Sequence, residues 1–239
     1  MFVTACVRPV LYRLSVACCF ACACSGTWAA QTGTKPDVPF AWTLPADALQ
    51  VDARMNVYLA GQSDTPADPF HGQLPLALSL DGAKWLQFPR IEGEVGCAGQ
   101  ISLVGPDGGT CMLSNTEIAP ANGFSGTASA ERAFYLVGVF AKQPDPAAPP
   151  DTLTVSAQDT ARELTPELNQ VFAVGDGRTT DGMLQTIVVP DGADTLYLGY
   201  ADAAGLIGHP GYYEDNVGQL RLTWSRLAAP PESGKSPGP

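Results

Sequence analysis

The feature that most constrains this chain is a strict alternation near its end. Over 219–225, Leu220, Leu222 and Trp224 alternate with Gln219, Arg221, Thr223 and Ser225. A period of two sends successive side chains to opposite faces, so this is a half-buried strand with one face on a core. Short apolar runs recur upstream at 55–59, 76–80, 85–88, 134–140, 170–174, 184–189 and 194–200, punctuated by Gly, Pro and Asp. Those at 134–140 and 170–174 are apolar enough for central strands. The runs at 184–189 and 194–200 flank the turn Pro190-Asp191-Gly192 and are expected to pair antiparallel. No long segment has a helical period. A single helical turn is expected at Thr165-Pro166-Glu167-Leu168, where Thr caps and Pro takes the first helical position. The pattern predicts an all-β fold, an antiparallel β-sandwich.

The first thirty residues carry no acidic side chain. Arg8 and Arg13 make a positive n-region, 14–23 is a short apolar run, and Thr27-Trp28-Ala29 supplies small residues at a cleavage site, so 1–30 reads as a secretory signal. The run is about half the roughly twenty residues a membrane span needs, and no later stretch is longer, so no membrane span is expected. Cys18, Cys19, Cys22 and Cys24 raise a lipid-modified N-terminus, although none has Leu three positions upstream. The chain is therefore expected to be exported: periplasmic, cell-surface or secreted. Residues 31–47 form a polar lead-in, 48–227 a single β-sandwich domain and 228–239, AAPPESGKSPGP, a disordered tail with almost nothing to bury.

Without the signal, eleven basic side chains face 24 acidic ones, a net charge of −13. Such a surface repels polyanions, and no Lys or Arg cluster exists to displace counterions, so nucleic acid is excluded as a partner. The same charge also serves plain solubility. Five of the seven cysteines lie within the first thirty residues, which leaves Cys97 and Cys111. In an oxidising compartment, and with four glycines between them, these two are expected to form a disulfide. Two cysteines without nearby histidine do not make a zinc site.

Chemistry concentrates between the last two predicted strands, from Tyr200 to Gly218. Asp202 closes the incoming strand, while Asp215 and Asn216 open the outgoing one. Antiparallel neighbours would bring these side chains together, and all three present oxygen. Ca²⁺ takes six to eight such ligands, carboxylates and carbonyls mixed, and carbonyls around Tyr212 can complete part of the shell. The same residues also suit a plain turn before a strand. Tyr212 and Tyr213 can either stack on a sugar or pack inside. His71 and His209, each beside Pro or Gly in a loop, read as surface residues.

The run LYLGYAD at 196–202, followed by YYEDNVGQLRLTW at 212–224, resembles the C-terminal signature of the calcium-dependent galactose-binding bacterial lectins and their exported relatives. FYLVGVF at 134–140 and VFAVGDG at 171–177 are similar to that family's central strand and to its following strand and turn. The resemblance implies a jelly-roll, galactose-binding-domain-like sandwich with one Ca²⁺ to which two vicinal sugar hydroxyls coordinate. It implies Asp202, Asp215 and Asn216 as side-chain ligands, Tyr212 as a carbonyl ligand and a further carbonyl within 62–65. Sugar contacts would come from Asp202, Asn216, Tyr212 and Tyr213. The insert 203–211 is longer than in the galactose-specific members, and their sugar-contacting His and Gln have no match. The resemblance therefore carries metal binding further than galactose specificity.

A nucleophile triad needs Ser or Cys with a positioned His and an acid. No nucleophile-elbow pattern occurs, and the two remaining thiols are expected to be oxidised. A carboxylate pair for glycoside hydrolysis can be drawn from any 24 acidic residues and singles out nothing. The chain is read as a calcium-dependent carbohydrate-binding protein, not an enzyme. The alternative is a structural or partner-binding module of the cell envelope in which the metal only orders a loop. The segment 90–123 carries no motif and is expected to form a disulfide-held wall beside the site.

Overall fold

Residues 44–99 and 102–231 are described by a computed structural model and belong to one unit, Trp42–Pro239. The expected signal at 1–30, the Cys18–Cys24 region, most of the lead-in and the end of the tail lie outside the described residues. The described residues form three sheets. The first has the order β1 (Leu49–Asp52), β13 (Val217–Leu227), β3 (Trp85–Gly96), β10 (Thr186–Val188), β8 (Glu163–Leu164). The second runs β2 (Leu76–Ser79), β11 (Thr195–Gly199), β6 (Val137–Phe140), β9 (Phe172–Ala173). The third runs β12 (Ile207–Gly208), β4 (Thr116–Ile118), β5 (Thr127–Ser129), β7 (Leu153–Thr154). Among the described residues helix is confined to single turns, and none is long and apolar enough to cross a membrane.

The alternating strand is present as β13, with Leu220 and Leu222 fully buried. It pairs antiparallel with β3 from Val217–Gly96 to Leu227–Trp85, and the register shifts between Thr223 and Ser225. Pro89 lies opposite that shift, where the extra residue of a bulge tolerates a missing N–H. The first two sheets share one core, in which Leu86, Phe88, Leu220 and Leu222 meet Leu78, Phe140, Leu196 and Leu198. A second cluster joins Val137 and Val139 of β6 to Ile118 of β4 and to Phe124, Tyr135 and Val155. The second sheet therefore lies between two cores, which is why every residue of β6 is buried and no alternation shows there.

Several expectations are corrected. The runs at 184–189 and 194–200 do not pair. Each of β10 and β11 already has partners on both edges, β3 and β8 for the one, β2 and β6 for the other, and the chain crosses between sheets at Pro190–Ala193. Three pairings are parallel, β10 with β8, β12 with β4 and β5 with β7, so the fold is not purely antiparallel. All three involve strands of two or three residues joined through long excursions, which can return in either direction. Residues 55–59 form no strand. Asn56 accepts a hydrogen bond from the Tyr58 amide at 2.9 Å and caps a 3-10 turn, Val57–Leu59, whose side chains are all buried. The run at 170–174 supplies only β9, at the edge of its sheet. The helical turn forms at Val155–Gln158 instead of 165–168. Cys97 and Cys111 do form a disulfide, with Cα atoms 6.0 Å apart.

Candidate functional site

The segment from Tyr200 to Asn216 connects β11 to β13, and thus one sheet to another. It leaves β11 under tight control. Gly199 runs against Met55, whose carbonyl oxygen would stand 2.5 Å from a Cβ at that position, and Tyr200 donates to the same oxygen at 2.7 Å. The Gly211 amide then closes the connection on the Asp202 carbonyl at 2.9 Å. Tyr212 follows in the left-handed region, and a 3-10 turn, Tyr213–Asp215, delivers Asn216 to the start of β13.

Asp202 and Asn216 meet although the strands they flank belong to different sheets, so convergence does not need the antiparallel pairing inferred from sequence. The Asn216 carboxamide donates from Nδ2 to Asp202 Oδ2 at 2.7 Å and to the Ala53 carbonyl at 3.3 Å. The Ala203 amide donates to Asp202 Oδ1 at 2.7 Å. Both side chains are only 3% exposed, and Asn216 Oδ1 has no hydrogen-bond partner. Leaving such an oxygen unpaired costs about 1–3 kcal/mol. Burial pushes the Asp202 carboxyl up to about 7; the Asn216 and Ala203 donors oppose the shift, while Asp215 and Glu214 add to it. A buried acid with two donors, two neighbouring acids and no cation suits a positive charge.

The other predicted residues are placed differently. The Asp215 side chain is exposed, and its carbonyl accepts from the Gly99 amide at 2.9 Å, which ties the disulfide loop to the site. This contact puts part of 90–123 beside the site. Tyr212 is exposed, with its ring centroid 4.6 Å from that of Phe70. Tyr213 is corrected as a sugar contact: its ring is fully buried and has no free face. Its hydroxyl donates to the Tyr200 carbonyl at 3.2 Å and accepts from the Asp202 amide at 3.0 Å. Residues 62–65 are exposed, and hydrogen bonds there run to Leu59 and between Ser63 and Asp64. Both histidines are exposed.

Sequence reasoning passed over Asn56, Ala53 and Phe70. Asn56 is buried and donates to the His71 carbonyl at 2.9 Å, holding the turn Pro69–His71 in place. A backbone carbonyl such as that of Ala53 leaves no trace in sequence, while an aromatic residue in the otherwise polar run 61–73 was a usable signal for Phe70.

The charge around the pair is one-sided. No Lys or Arg occurs over 55–83, 91–131 or 179–220, and Arg54, next to Ala53, is paired with Asp52. Among the described residues no three His, Cys, Asp or Glu side chains gather as a metal cluster. A cation here would rest on Asp202, the Asn216 carboxamide and main-chain carbonyls. An open groove of about 420 Å³ along β3, lined by Pro89, Arg90, Ile91, Glu92, Asp176 and Arg178, includes neither Asp202 nor Asn216. No family model, curated protein or solved structure matches the chain.

Proposed function

We propose that this chain is an exported, calcium-dependent carbohydrate-binding protein and not an enzyme, with its cation held by Asp202 and Asn216. The observation that carries the reading is the buried pair itself, an acid whose proton affinity is raised by burial beside a carboxamide oxygen with no partner. An all-oxygen donor set of acid, amide and carbonyl suits Ca²⁺ rather than a soft metal. Bound there, Ca²⁺ would neutralise Asp202 and offer coordination positions to vicinal hydroxyls. Asp215, exposed at the same turn, is with Glu214 one of two carboxylates near enough to raise the Asp202 pKa, and the Tyr212 carbonyl stands at the start of that turn. The jelly-roll form of the fold belongs to the same proposal and is supported by the core that the first two sheets share. Export is supported by the disulfide and by the signal pattern over 1–30.

The depth of Asp202 and Asn216 favours a second reading, in which the metal orders the connection and binds no sugar. One experiment separates the two. Melting is followed in EDTA and in excess Ca²⁺ for the wild type and Asp215→Ala, and a glycan array is then probed in Ca²⁺. A calcium-dependent rise with glycan binding that EDTA abolishes supports the lectin reading, whereas a rise without any glycan leaves the structural one. A wild-type melting temperature indifferent to calcium removes both.

A further inference from the structure

Tyr212 combines two properties that cation binding by a main-chain carbonyl does not require. Its φ is +71°, in the region where a Cβ is crowded and Gly or Asn sits more easily. The residue is 45% exposed, on the outer side of the turn. Strained backbone of this kind recurs at ligand clamps.

The ring is nevertheless positioned. Its centroid lies 4.6 Å from that of Phe70, with the planes tilted by 58°. Phe70 in turn occupies the space over Gly211, where a Cβ would fall 2.3 Å from its Cε1 atom. The turn that carries Phe70 is fixed at both ends: Asp68 Oδ1 accepts from the Phe70 amide at 3.0 Å, and the His71 carbonyl accepts from Asn56 at 2.9 Å. Asn56, Asp68, Phe70 and Gly211 thus form a buttress whose exposed end is the Tyr212 ring, four residues from Asn216.

We infer that Tyr212, braced by Phe70, is a stacking surface that makes the site select ring sugars over open-chain polyols. The inference rests on the carbohydrate reading above. A cation needs only a vicinal diol, which glycerol or mannitol offers as readily as a pyranoside. A pyranose also has a rigid face of C–H bonds, which an aromatic ring with an apolar face can cover. Tyr212 is the contact and Phe70 the positioning residue.

The test is calorimetric titration in Ca²⁺ with the methyl pyranosides of galactose, glucose, mannose and fucose, and with mannitol. Wild type is expected to bind at least one pyranoside about tenfold tighter than mannitol. Tyr212→Asn keeps the main-chain carbonyl and relieves the strain. It is expected to abolish that preference. Phe70→Leu is expected to weaken pyranoside binding and leave the calcium-induced melting shift unchanged, and Tyr212→Trp to retain the preference. A Tyr212→Asn protein that still prefers the pyranoside overturns the stacking role while the carbohydrate reading stands. A wild type that responds to calcium yet binds none of the five overturns the carbohydrate reading and the stacking role with it.

Discussion

The Asp202 carboxylate and the Asn216 carboxamide lie 2.7 Å apart at the crossing between two sheets, and the oxygen of that carboxamide faces no partner. The pair is electrically incomplete: one buried acid receives two donors and no cation, with Asp215 and Glu214 close by.

That imbalance predicts an inverted pH dependence in the metal-free protein. The folded pKa of Asp202, about 7, lies above its ordinary 3.8. Between these values the folded state holds a proton that the unfolded state has released, so stability falls as pH rises toward 7 and is flat above it. Compared with Asp202→Asn in EDTA, the wild type is expected to lose about 2–3 kcal/mol between pH 5 and pH 8, as read from urea midpoints. Parallel curves for the two proteins would contradict the buried charge.

Calcium is expected to reverse this loss, because it binds the ionised acid. At a hundredfold excess over its Kd it adds about 2.7 kcal/mol. The melting shift should be large at pH 8, small at pH 5 and absent in Asp202→Asn. A shift that is the same at both pH values would place the cation elsewhere.

Opening the disulfide acts on two things together. Cys97→Ser with Cys111→Ser is expected to cost about 3 kcal/mol, the loop-closure value for this separation. Because Gly99 donates to the Asp215 carbonyl, the double variant should also weaken the calcium response, which chemical denaturation in Ca²⁺ and in EDTA would show.

Gly72 is a steric test of how Tyr213 is seated. Its φ is +78°, and a Cβ there would stand 2.5 Å from the Arg54 carbonyl oxygen and 2.8 Å from two carbons of the Tyr213 side chain. Gly72→Ala is expected to destabilise by roughly 2–4 kcal/mol through strain and overpacking. A variant with wild-type stability would mean that the Pro69–His71 turn is not held against Tyr213.

The alternation over 219–225 was legible because β13 has a single buried face, and a period of two reports that and nothing more. β6, buried on both sides, has no period to read, and strands of two residues such as β8, β9 and β12 are too short to show one. The run at 55–59 read as a strand because it is apolar, and a buried 3-10 turn is apolar too. Strand partners are set by distant residues, so the turn Pro190–Gly192 looked like a hairpin when it is a crossing between sheets. That Asp202 and Asn216 meet was legible because both close the ends of recognisable strands. Tyr213 was misplaced because its neighbour in sequence, equally aromatic, points the other way, and nothing in two adjacent tyrosines says which one faces solvent.

The sheet that lies between two cores sets how the molecule comes apart. Neither cluster can lose its packing without stripping one side of β6 and β11, so the two halves share a fate and unfolding should be a single calorimetric transition. Tyr200, which leads from β11 into the Asp202 connection, is itself part of the first cluster. A ligand that tightens this one end therefore raises the threshold for the whole body, and a thermal scan of the intact protein reports on occupancy there without any label at the site.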